Sequence, residues 1–175
     1  CIRDRLIYQS VMMGSALGTL IAMRCGVMNK ELQEAMPLAS LKAAYDIILE
    51  KAEAGDAFCQ MVIGNVYYWY DFLMIENINP EDFDSDDAFE SFLHENMLKC
   101  EYWYKSALDG GVATAGANLM LMYIDGIEGV LPPQPEKAKE LDRIYAAKGY
   151  PNYQYFYACD LFDEDKHEEA FPLFC

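Results

Sequence analysis

The sequence predicts an all-α fold of stacked helix pairs, and three observations carry that prediction. A glycine-anchored pattern returns along the chain, helical runs stop at a glycine and restart within a few residues, and almost nothing alternates with the period of two that a strand needs. The clearest copies are Gly55, Ala57, Gln60, Ile63, Gly64, Tyr67 and Gly111, Ala113, Ala115, Asn118, Leu119, Tyr123. A looser copy follows as Gly149, Tyr153, Gln154, Ala158, Leu161, and the weakest is Gly14, Ala16, Ala22, Gly26. Ala44, Cys100 and Ala138 each stand eleven residues before an anchor glycine, where small side chains let two helices approach closely.

The elements follow in order. The first pair is expected at residues 2–13 and 15–27, divided by Gly14 and closed by Gly26. A glycine just past a helical run is the expected left-handed cap, so helix 38–54 ends at Gly55 and helix 56–76 follows it. Helix 86–109 opens on Asp84, Ser85 and Asp86, acidic and capping residues that suit a helix N-terminus. It ends before Gly111, and helix 112–124 succeeds it. Pro80, Pro132 and Pro133 fall between helices, while Pro135 and Pro151 suit the first turn, which has no hydrogen bond to lose. They open helices 135–148 and 151–162, and a final helix begins at Lys166.

Residues 103–138 resemble a Sel-one-like repeat, the short-loop relative of the tetratricopeptide repeat. The matching residues are Trp103, Tyr104, Ala107, Gly111, Ala113, Ala115, Asn118, Leu119, Tyr123, Gly126, Gly129, Val130, Lys137 and Ala138. One extra residue separates Gly126 from Gly129, Met120 replaces the usual glycine, and the unit at Gly55 carries an acidic insertion instead of the compact loop. The resemblance implies a right-handed α-α superhelical solenoid of about four units, whose first helices line a concave surface that binds proteins or peptides. The chain, residues 1–175, then reads as a single repeat domain, a fragment of something longer, with open ends through which copies could associate.

Composition fits a packed protein, with 53% hydrophobic and 14% aromatic residues. Thirteen basic and 29 acidic side chains give a formal charge of −16, which repels phosphate backbones and anionic membrane surfaces. No nucleic-acid partner is expected. Eight acids and no Lys or Arg lie between residues 76 and 98, half of the excess charge. The apolar run at residues 11–23 is shorter than the roughly 20 residues a membrane span requires, so a buried helix is expected and no membrane insertion. The six cysteines, Cys1, Cys25, Cys59, Cys100, Cys159 and Cys175, are widely spaced and read as small buried hydrophobes of a reducing compartment, hence a cytoplasmic protein; a secreted or periplasmic location is the alternative.

Chemical motifs fail at defining positions. His94 and Glu95 begin a zinc-binding string, but Leu98 stands where the second imidazole is needed; His167 fails likewise at Phe171. Asp82, Asp84 and Asp86 resemble a calcium loop, yet Asp87 and Leu93 occupy the turn glycine and bidentate glutamate positions. No metal, cofactor or catalytic residue is assigned, and the chain reads as a non-enzyme. The aromatic runs Tyr67, Tyr68, Trp69, Tyr70 and Tyr150, Tyr153, Tyr155, Phe156, Tyr157 suit packing, with a ligand platform as the alternative. The stretch Pro132 to Pro135 fits a PxxP pattern but occupies the loop before a helix.

The leading expectation is a scaffold or adaptor for a partner protein or peptide, in a bacterial setting. Two alternatives are a small-ligand or enzyme-associated module with a tyrosine-rich pocket and a secreted bacterial effector. Removing the core columns from each first helix by 3.6-residue spacing leaves Arg5, Tyr8, Gln9, Lys42, Asp46, Glu50, Tyr102, Lys105, Glu136, Glu140 and Arg143 as partner-binding candidates. Asp82, Asp84, Asp86 and Asp87 of the insertion are candidates for steering a basic partner.

Overall fold

The computed structural model describes residues 2–174 and is all-helical, with no β-strand among those residues. Its helices are α1 (Ile2–Met12), α2 (Ala16–Arg24), α3 (Lys30–Ala35), α4 (Leu41–Glu53), α5 (Ala57–Tyr68), α6 (Asp71–Glu76), α7 (Asp86–Asp109), α8 (Ala113–Asp125), α9 (Pro135–Ala147), α10 (Pro151–Asp163) and α11 (His167–Ala170). Short 3-10 turns cover Pro80–Asp82 and Phe171–Leu173. The chain forms two compact units, Cys1–Gly116 and Ala117–Cys175.

One turn geometry recurs at the helix junctions. At Gly55, Gly111 and Gly149 the backbone is left-handed, with φ of 95°, 92° and 84°. The glycine N–H donates to the carbonyl three residues back, and the next N–H reaches five back: Asp56 to Lys51, Val112 to Ala107, Tyr150 to Tyr145. This pair of hydrogen bonds satisfies carbonyls that a helix end would otherwise leave bare, in a conformation that glycine adopts with least strain. Gly14 and Gly26 make the same turn, and so does Asp165 at φ 60°. The following helices are capped in turn. Ser15, Asn29, Ser40, Asp56 and Ser85 each accept from the backbone N–H three residues on, at 2.8 to 3.2 Å.

Within Cys1–Gly116 the packing runs largely in chain order, α1 on α2, α2 on α4, α4 on α5 and α5 on α7. Ala16, Leu20, Tyr45, Ile48, Ile63, Val66, Phe72 and Ile75 form the main core, and Val11, Ala22 and Leu32 a second cluster beside it. Burying each large apolar side chain contributes about 1.5 to 3 kcal/mol. The small columns behave as expected: Ala44, Cys100 and Ala138 are all buried. Cys100 Sγ donates to the Gly64 carbonyl at 3.4 Å, and burial pushes this thiol well above its usual range.

Several expectations need correction. Helix 56–76 breaks into α5 and α6 because Tyr70 takes a left-handed conformation, φ 58°, which folds α6 back onto α4 and buries Phe72 and Ile75. Residues 30–35, not assigned from sequence, form α3 because Asn29 caps it and Leu32 anchors it. Ala113 is exposed and Ala115 is the buried member of that turn. Of the cysteines, Cys59 and Cys100 are buried, whereas Cys25 is exposed and Cys159 half-buried. Cys1 and Cys175 lie outside the described residues.

The acidic insertion is an anchored segment. Asn79 N–H donates to Asp82 Oδ2 at 2.9 Å, and Asp82 N–H donates back to the Asn79 carbonyl at 3.0 Å. The Phe83 ring sits 5.1 Å from both Phe89 and Phe92, and Phe92 continues to Phe72 at 5.9 Å. Ile78 packs on the main core. The segment therefore half-buries Ile78, Phe83, Phe89 and Phe92 while Asp82, Asp84, Asp86 and Asp87 stay exposed.

In Ala117–Cys175, α9 packs on α10 through Ala138, Leu141, Tyr145, Tyr153, Ala158 and Leu161. Tyr145 lies 5.3 Å from Tyr153 and 5.5 Å from Tyr150. The loop between Gly126 and Gln134 is tightly folded. Its Leu131 N–H donates to Ile127 O at 2.8 Å, and Gln134 N–H to Tyr123 O at 2.6 Å.

Candidate functional site

Polar groups converge most clearly where α4, α5, α6 and α7 meet. The cleft, about 350 Å³, is lined by Tyr45, Tyr67, Phe72, Glu76, Ile78, Phe92, Asn96 and Lys99. Each element contributes for a local reason. Tyr45 belongs to the buried face of α4, and Tyr67 lies in the last turn of α5 just before the left-handed break. That break turns α6 so that Phe72 forms the floor and Glu76 the rim. Asn96 and Lys99 lie one turn apart on α7, hence on one face.

The two tyrosine hydroxyls are 3.1 Å apart and hydrogen-bonded to each other. Burial, reinforced by the Tyr67 hydroxyl and the negative charge of Glu76, pushes the Tyr45 phenol far above its ordinary range, so it stays protonated. Asn96, 3% exposed, donates through Nδ2 to Phe92 O at 2.8 Å and accepts from Lys99 Nζ at 3.0 Å. The ammonium also stands 5.6 Å above the Tyr67 ring. Lys42 ion-pairs with Asp46, lies 3.8 Å from Glu76 and covers the Tyr45 ring at 5.7 Å. The Asp46 bond and the Glu76 charge hold the Lys42 ammonium above its usual range, although desolvation opposes them.

The sequence-selected residues have mixed placements. Arg5, Tyr8 and Gln9 are exposed on α1, and Asp46 and Glu50 on α4, with Lys42 half-buried. On α7, Tyr102 is 61% exposed beside Trp103, and Lys105 bonds Glu101 at 2.7 Å. Glu136, Glu140 and Arg143 are exposed on α9 in the second unit. The structure brings Lys42 and Asp46 together beside the tyrosine cleft. Tyr67 was visible in the aromatic run, but Tyr45, Asn96 and Lys99 were missed. An Asn and a Lys three apart on a long helix carry no distinguishing signal until other helices supply the opposite wall.

Two further places have unusual surroundings. A cleft of about 200 Å³ between α2 and α5 is lined by Leu17, Leu20, Ile21, Phe58, Met61 and Val62. Arg24 closes one end, donating through Nε to Asp71 at 2.9 Å and through Nη2 to Asn65 O at 2.7 Å, with its guanidinium 5.8 Å from the largely exposed Trp69 ring. In the second unit Asp142 is 7% exposed, and its Oδ1 has no hydrogen-bond partner among the described residues. Burial, together with the nearby Asp160 charge, pushes its carboxyl up to about 7. Among the described residues, no group of three or more His, Cys, Asp or Glu side chains could hold a metal ion, and no helix is long and apolar enough to cross a membrane.

No protein-family model, curated protein or solved structure matches the chain.

Proposed function

We propose that the chain is a scaffold built from Sel-one-like helix pairs, stacked as a right-handed solenoid, which holds a segment of a partner protein or peptide against the Cys1–Gly116 unit. The observation that carries this reading is the tyrosine cleft, where two hydroxyls, an amide, an ammonium and a carboxylate converge above an apolar floor. Such a mixture of a few oriented polar groups over aromatic surface is the usual chemistry of a recognition site. The recurring glycine turns and the in-order packing of α1, α2, α4, α5 and α7 support the repeat architecture. Exposed Tyr102 and the Lys42–Asp46 pair extend the surface beyond the cleft. The buried thiols of Cys59 and Cys100 suit a reducing, cytoplasmic setting.

Selection of displayed random peptides on the wild-type protein and on Tyr67→Ala tests the proposal. A consensus enriched by the first and lost by the second is expected; failure to enrich any consensus would sink it. The size of the cleft, within the roughly 300 to 1,000 Å³ of small-molecule sites, favours a second reading in which a free metabolite fills it.

A further inference from the structure

The tyrosine cleft presents more donors than it uses. Between the Tyr45 and Tyr67 hydroxyls one proton is shared, so the other remains without an acceptor among the described residues. Lys99 carries three ammonium donors, of which one goes to Asn96 Oδ1. The ammonium meets no carboxylate among the described residues, in a chain with 29 acidic side chains. Asn96 cannot turn to relieve it, because its Nδ2 is committed to Phe92 O. An ammonium and a neutral phenol beside one another are unspent donors that suit one kind of group, an anionic oxygen acceptor.

Glu76 is the only acid among the described residues that line this cleft, and Lys42 stands beside it at 3.8 Å. It leaves an acceptor for an N–H on the same ligand. The distant acids weigh little at contact range, since charges separated by more than about 8 Å are screened at physiological ionic strength. Phe72, Ile78 and Phe92 supply apolar surface below the donors.

Resting on the proposed reading of this cleft as the partner's seat, we infer that it binds a carboxylate carried on an apolar, residue-sized group, with Lys99 Nζ and a tyrosine hydroxyl as the donors. A free small acid and the C-terminal residue of a peptide present the same chemistry. The acid is held by charge-assisted hydrogen bonds, while the aromatic floor takes its side chain.

The test is calorimetric titration, at 0.15 M salt, of N-acetyl-phenylalanine and of a pentapeptide ending in Phe, each as free acid and as amide. The free acids should bind about tenfold more tightly than their amides, the ratio expected for one charge-assisted hydrogen bond. Lys99→Met should remove that preference, and Tyr67→Phe should weaken acid binding without changing the melting temperature greatly. Binding of the pentapeptide acid alone identifies a chain terminus, and comparable binding of both acids a free carboxylate; either supports the inference. Equal binding of acid and amide, lost in Tyr67→Ala, would keep the cleft as a seat and overturn the carboxylate. No binding by any of the four probes would overturn both.

Discussion

The Tyr104 ring lies against the backbone of Gly64, so close that a β-carbon on that glycine would stand 2.5 Å from ring atom Cδ1. Tyr104 is fully buried, and its hydroxyl donates to Asn65 Oδ1 at 2.8 Å on the same turn of α5. The missing side chain lets α5 and α7 approach and gives the phenol its partner.

Gly64→Ala should therefore destabilise the protein. Alanine gains about 1 kcal/mol of helix propensity over glycine, but overpacking a close contact costs typically 1 to 3 kcal/mol. The ring is fixed at both ends and cannot yield cheaply, so the clash wins. Urea denaturation should show a loss of about 1 to 2 kcal/mol; a gain would mean that the α5–α7 contact is looser than described.

A paired substitution checks the register of the repeat. A β-carbon added at Gly110 would come within 2.4 Å of Ala57 Cβ, so Ala57 faces a close helix end. Ala113, its counterpart in the next copy, is exposed. Ala57→Leu should cost about 1 to 3 kcal/mol, whereas Ala113→Leu should fall within about 0.5 kcal/mol of the parent. Equal costs would contradict the placement of Ala113.

These two alanines show what could be read from the chain and what could not. The glycine columns were legible because a left-handed turn after a helix is a local requirement, written in one residue. The α5–α6 break was not, because Tyr70 adopts its left-handed backbone in a run of aromatic residues that otherwise reads as continuous helix, with its half-buried ring packed against the core and its hydroxyl without a partner among the described residues. The site divides in the same way. Lys42 and Asp46 could be placed by helical spacing alone, but Lys99 acquires meaning only from Tyr67 and Asn96, and the Tyr67 contact depends on how α5 and α7 pack.

Asp142 predicts a pH dependence. Its folded carboxyl is raised to about 7, against about 3.9 for an unfolded aspartate. Between these values the folded state binds more protons than the unfolded one, so stability falls as pH rises from about 4 to about 7 and then levels. Besides burial, the charge acting on it is that of Asp160; Asp142 in turn adds to the burial that pushes the Tyr153 phenol up to about 12. Asp142→Asn should melt higher than the parent at pH 8 and show a flatter melting profile between pH 5 and 8. An unchanged slope would assign the dependence to other groups.

The acidic segment should be held by Phe83 rather than by its charges. Phe83 contacts Phe89 and Phe92 and through Phe92 reaches Phe72 in the core, whereas Asp84, Asp86 and Asp87 are exposed and their carboxylates accept no hydrogen bond from the described residues. Aromatic contacts do not weaken with salt, while interactions among exposed charges do. Asp86 and Asp87 gain a little from the N-terminus of α7, and their mutual repulsion offsets part of that gain. Limited digestion by an endoprotease specific for glutamate, followed at Glu81, separates the two contributions. Phe83→Ala should accelerate cleavage there several-fold. Asn at positions 82, 84, 86 and 87 together removes the charge and weakens the cap to Asn79 N–H, since an amide oxygen accepts less strongly than a carboxylate, yet it should change the rate less than Phe83→Ala does, and 1 M salt should leave the parent protected. If the four-fold Asn variant is cut as fast as Phe83→Ala, the cap and the charges hold the segment and the aromatic cluster does not.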